Sequence, residues 1–139
     1  MIVPEFSLIL ECCKGNTSVE DAINMKKDEV ADNLYNPAYN IIVDIRDFEA
    51  PLNSTIAESM AVFSDFINKL LIKGKVAFLT TRPHQVVLSE LLKRFIKDSL
   101  SLEIKIFSSP EAAIKFLGYP ITSFDLIKYN IAALNMNTA

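Results

Sequence analysis

Glycine is scarce in this chain of 139 residues, and tryptophan is missing altogether. Gly15, Gly74 and Gly118 stand too far apart to form a phosphate-cradling loop or a dinucleotide fingerprint, which disfavours Gly-rich nucleotide chemistry. With a single histidine, His84, no His/Cys/carboxylate spacing suits zinc, and there is no G-x-S-x-G elbow. Neither a metal nor a cofactor is expected. Too few titratable groups can converge for catalysis, so the chain reads as a non-enzyme. Its two cysteines, Cys12 and Cys13, are adjacent, and a disulfide between neighbours is strained. Such thiols fit a reducing cytoplasm. Positive charge is short too: Lys and Arg total 14 against 17 acidic residues, for a net charge of −3. No basic field exists to condense on nucleic acid or anionic lipid. No apolar run reaches the roughly 18 residues that span a bilayer. The N-terminus lacks a basic n-region, and Glu5 and Glu11 interrupt its apolar stretch, so a secretory leader is not expected.

What the chain has in quantity is apolar surface, 50% of residues, enough for one full core. A unit recurs three times: an apolar strand-like run, a polar turn, then an apolar stripe at helical spacing. The runs are IIVDIR from Ile41, VAFLTT from Val76 and LEIKIF from Leu102, with helices starting near Ser54, His84 and Pro110. Strands alternating with helices predict βαβ crossovers and a mainly parallel sheet. Ahead of these units, Phe6–Cys13 alternates as a strand with one wetter face, near a sheet edge. Thr17 and Glu20 have the spacing of a capping box opening a helix to about Asn33. The third helix carries Val87, Leu91 and Phe95 with flanking Leu88 and Leu92 as its apolar stripe, and Ser109-Pro110 is expected to start the fourth. Beyond Pro120, Phe124, Ile127, Ile131 and Leu134 share one helical face, which must be covered by the chain's own sheet or by a second subunit.

Two spots could carry chemistry. Asp44, Arg46 and Asp47 lie at the carboxyl end of a central strand, where ligands of such sheets usually meet the loops. Asp44 either fixes the turn by pairing with Arg46 and loop N–H groups, or serves as a carboxylate that lacks an obvious partner. The second spot is Thr80, Thr81, Arg82, Pro83 and His84, between a strand and a helix N-terminus. Its hydroxyls, charges and free N–H groups suit either an anion or simple helix capping.

The run GNTSVEDAINMKKDEVADNLYNPAYNIIVDIRDFEAPLN resembles the STAS-like family, in its SpoIIAA-like branch, whose strand ends in a D-(x)-R-D signature. GKVAFLTTRPHQVV is similar to the family's G-K-x-A strand and Ser/Thr turn. IKIFSSPEAAIKFLG is similar to its closing strand and helix. The likeness covers about Phe6 to Gly118. It implies an α/β sandwich: a four- or five-stranded, mainly parallel mixed sheet with helices mainly on one side. Residues 1–118 would form the domain and 119–139 a helical extension, packed on that domain or on a second subunit. Family members act as regulatory or protein-interaction modules, which implies a cytoplasmic partner protein and allows a homodimer. Relatives of the fold bind nucleotides or lipid-like ligands, so the alternative is a module that holds a small anionic or lipid-like molecule through Asp44, Arg46, Thr80, Thr81, Arg82 and His84. Classical members carry a phosphorylated serine at the second helix's N-terminus. Ser54 and Thr55 match it by position and hydroxyl, without the glycine that follows there.

Overall fold

In the computed structural model, which describes residues 1–49, 52–96 and 102–137, the repeated units become one five-stranded mixed sheet. Its strands are β1 (Ile2–Val3), β2 (Leu8–Cys12), β3 (Asn40–Asp44), β4 (Val76–Leu79) and β5 (Ile104–Phe107), adjacent in chain order. β1 pairs antiparallel with β2, and the other three pairings are parallel. The helices are α1 (Val19–Ala31), α2 (Ile56–Asn68), α3 (Pro83–Phe95), α4 (Pro110–Phe116) and α5 (Phe124–Asn137).

Sequential parallel strands joined by crossovers of one hand put all the connecting helices on one face. The alternation of side chains then sorts the core into two halves. Ile41, Val43, Val76, Phe78 and Ile104 meet Ile67 of α2 and Leu92 of α3. Leu8, Leu10, Ile42, Ala77 and Leu79 meet Ala113 and Ile114 of α4 and Ile127 and Ile131 of α5. Helices therefore cover both faces, three and two, rather than mainly one. With α4 and α5 over Leu8 and Leu10, β2 is covered on both sides; Ile9 is as buried as Leu10, while the exposed Ser7 and half-buried Glu11 and Cys13 keep the Ile9 face the wetter one, as expected.

Local chemistry shifts several boundaries. The capping box sits one residue later than Thr17: Ser18 Oγ accepts from Asp21 N at 3.1 Å, and Asp21 Oδ2 accepts from Ser18 N at 3.2 Å. Thr17 instead donates to Lys14 O at 2.8 Å. α3 buries Gln85, Leu88, Ser89 and Leu92, while Val87 and Phe95 are exposed. That face is rotated from the expected one because two of its members are polar and internally hydrogen-bonded. Ser109 caps α4 through Ala112 N at 3.3 Å, and Gly118 follows with φ of 89°, a conformation that favours glycine. Gly74 is needed for a different reason, since a Cβ there would lie 1.9 Å from Tyr39 O.

Candidate functional site

The residues singled out at the strand ends are brought together, but they are bonded to one another. Asp44 is buried; its Oδ1 accepts from Arg46 N at 3.1 Å and Arg46 Nε at 2.9 Å. Its Oδ2 accepts from Arg46 Nη2 at 2.7 Å and from Asn135 Nδ2 at 2.8 Å. Burial alone would raise this carboxyl, yet the hydrogen bonds from Arg46 and Asn135 hold it below its ordinary value. Asn135 also accepts from Lys14 Nζ and from Cys12 Sγ, so the group clamps α5 to the ends of β2 and β3.

At the start of α3 the decisive residue is Gln85, which is fully buried. Its Oε1 accepts from Thr81 N at 2.8 Å and Arg82 N at 3.0 Å. Its Nε2 donates to Arg46 O at 2.8 Å and Phe48 O at 3.2 Å. The N–H groups that could have cradled an anion are therefore taken by a side chain. Thr80 N donates to Phe107 O at 2.9 Å, and Thr81 Oγ1 to Arg46 O at 3.4 Å. His84 Nε2 lies 3.2 Å from Phe48 O, and Arg82 forms an exposed ion pair with Glu49. This set knits the β3–α2 loop to the β4–α3 turn. Gln85 was missed from sequence, although a glutamine at the third helical position is a capping signal. Residues 50 and 51 of the β3–α2 loop lie outside the described residues. Beyond them, Ser54 and Thr55 are exposed at the start of α2, with Thr55 Oγ1 donating to Asn53 Oδ1 at 2.7 Å.

A different region offers space. Between the sheet and α1–α3 lies a cavity of about 760 Å³. Val43, Ile45 and Phe78 form its floor; Met60, Phe63 and Ile67 of α2 and Leu88 and Leu92 of α3 form its roof. It extends from Phe48 and Asn53, after the carboxyl end of β3, to Ile72 and Val76 at the start of β4.

The remaining wall is charged. α1 buries a single residue, Lys26. Its ammonium donates to Glu29 Oε1 at 2.6 Å and to Glu11 Oε1. Burial would lower this lysine, but the two carboxylates outweigh it and keep it protonated. Burial, then the charge of Glu11, pushes Glu29 up to about 7 despite Lys26. Cys13 lines the same wall, and burial with the nearby Glu11 charge pushes its thiol up to about 12, so it stays protonated and a poor nucleophile. Nearby, the Tyr35 hydroxyl is buried without a hydrogen-bond partner. Neither the cavity nor the triad was visible beforehand, because Glu11 and Lys26 are fifteen residues apart and become neighbours only when α1 lies across β2.

Compared with family models, curated proteins and solved structures, the chain matches none.

Proposed function

We propose that this chain is a non-enzymatic, STAS-like binding module that holds an apolar small molecule between its sheet and α1–α3. The observation that carries the reading is the cavity of about 760 Å³ with its aliphatic and aromatic floor and roof. Small-molecule sites usually occupy about 300–1,000 Å³ and bear such linings. A space of this size, open to solvent at its rim, is large enough to admit a small apolar molecule. Water would find few polar partners along the aliphatic and aromatic floor and roof. A hydrocarbon chain satisfies both conditions. The sequential strand order and the short antiparallel partner β1 support the STAS-like frame. The site lies between layers, with only its rim near the strand ends, and Asp44, Arg46, Thr80, Thr81, Arg82 and His84 serve as scaffold.

The test is titration with the neutral dye N-phenyl-1-naphthylamine, together with native mass spectrometry of protein purified from cells. Saturable dye binding at one site per chain, abolished by Ala22→Phe in the cavity wall, is the expected outcome. Non-saturable fluorescence, or uptake unchanged by Ala22→Phe, would overturn the reading.

A second reading, self-association, rests on α5. Its outward face exposes Leu126, Tyr129 and Met136 at helical spacing, and twofold dimers are the commonest assemblies. Light scattering should then give a dimer mass that Tyr129→Glu reduces to a monomer; a wild-type monomer removes the idea. A phosphate on Ser54 would add about −1.5 to −2 charges at the start of α2 and could tune either process.

A further inference from the structure

The charged wall of the cavity has a sign. Glu11, Asp28, Glu29 and Asp32 line it, against the Lys26 ammonium and the Met1 amino group. Four carboxylates against two cations leave two negative charges unmatched when all are ionised. Both cations are already engaged. Lys26 is spent on Glu11 and Glu29, and the Met1 amino group donates to Leu10 O at 2.9 Å. Glu11 and Glu29 each meet Lys26 through Oε1, which leaves Oε2 as an acceptor. These two side chains are largely buried, at 18% and 10% exposure, where an unmatched charge acts strongly. Asp28 and Asp32 are exposed and add attraction for an approaching cation.

Resting on the ligand-binding reading, we infer that the cavity takes an amphipath with a hydrocarbon tail and a cationic amine head. The tail lies along Val43, Phe78 and Phe63, and the head sits beside Glu11 and Glu29. An ammonium brings N–H donors to the two carboxylates and offsets the excess negative charge. A carboxylate or phosphate head would meet an excess of like charge, which selects against it. The strand-end residues led to the expectation of an anionic or lipid-like ligand; the charge of the cavity wall favours a lipid-like one with a cationic head.

The experiment compares three probes of equal chain length, dodecylamine, dodecanol and dodecanoic acid, below their micellar concentrations at pH 8. Each displaces N-phenyl-1-naphthylamine from the wild-type protein. Dodecylamine should displace the dye at a concentration at least about tenfold below that of dodecanoic acid, with dodecanol between, because buried charge complementarity sets the order. A smaller ratio, or the reverse order, overturns the head-group inference while dodecanol displacement keeps the cavity reading intact. If all three fail, dodecanol included, the ligand-binding reading itself falls. In Glu29→Gln the amine-to-acid ratio should shrink severalfold with dodecanol unchanged; an undiminished ratio also overturns the inference.

Discussion

The two faces of the sheet are built to different standards. Under α4 and α5 the contact is close. Ala77, Leu79, Ala113, Ile114 and Ile127 have no exposed surface, and the two alanines let α4 approach the strands. The edge is fastened by Asn135, Asp44 and Arg46 at one end. At the other, Tyr119 Oη donates to Phe6 O at 2.9 Å. Under α1–α3 the floor is equally apolar, but the one residue that α1 buries is a lysine, and a cavity opens. The first face is filled, and the second leaves the space in which the proposed function places a ligand. The order of the chain makes this possible, because α4 and α5 come after the last crossover and are free to brace the sheet from behind.

The largest expected contrast comes from truncating matched side chains. Ile114→Ala on the close face should lower stability by about 3–4 kcal/mol, within the usual range for a fully buried isoleucine. Phe63→Ala, at a half-buried position on the cavity roof, should cost less than half of that, since its neighbours already face open space. Urea unfolding of both variants measures the difference. Equal losses would mean that the two faces are packed alike.

Much of this division could be read from the residues, and the unread part has physical causes. The units at Ile41, Val76 and Leu102 announced the parallel sheet because each strand-like run is followed by a helical stripe, the alternation that βαβ crossovers produce. Ser109, Pro110 and Gly118 marked α4 because caps are local chemistry. Periodicity shows that a helix has an apolar face, but not which side of the sheet it meets, so α4 on the second face was missed, while the C-terminal helix packs on the chain's own sheet, one of its two expected covers. Gln85 and Ser89 disguised the buried face of α3, as polar residues do when their hydrogen bonds are made inside. The cavity is a difference between surfaces that nearly fit, and no single segment encodes it. Lys26 looked like one more charge on a solvated helix, because its partner Glu11 belongs to another element.

Adding volume sharpens the comparison from the other side. Ala113→Leu inserts atoms into a filled core and should cost about 1–3 kcal/mol. Ala22→Leu, on the α1 wall of the cavity, has space to enter and should be neutral or stabilising while weakening dye binding. Thermal unfolding with and without dye separates the outcomes. A destabilised Ala22→Leu with normal dye binding would place α1 closer to the sheet than the cavity allows.

Asp44→Asn tests the fastening of the close face. It removes the charge that holds Arg46 and Asn135, and a lost buried charged acceptor costs about 1–3 kcal/mol. The Asp44 carboxyl is held below its ordinary value of 3.8, so its stabilisation is present above that pH and disappears as pH falls through the lower folded value. Wild type and variant should differ at pH 7 and converge in strong acid, with dye affinity unchanged throughout. Weaker dye binding at pH 7 would show that the clamp also supports the cavity face.

The smallest expected effect belongs to Glu29, on the cavity's charged wall. Burial and the Glu11 charge push its carboxyl from 4.5 to about 7, so the folded chain holds a proton that the unfolded chain has already released. That difference makes this group's contribution to stability fall as pH rises from about 4.5 to about 7. Lys26, Cys13 and Tyr35, the other groups here with shifted values, are all raised and titrate above this window. Glu29→Gln keeps an acceptor for Lys26 but has nothing to titrate. Its urea midpoint should therefore gain on that of wild type at each step through pH 5, 6 and 7, and the gap should level off by pH 8. The variant should remain as stable as wild type at pH 5, because a protonated glutamate and a glutamine present Lys26 with similar oxygens. Parallel pH profiles for the two proteins would mean that Glu29 is not held against Glu11 and Lys26, and the cavity would lose its charged wall.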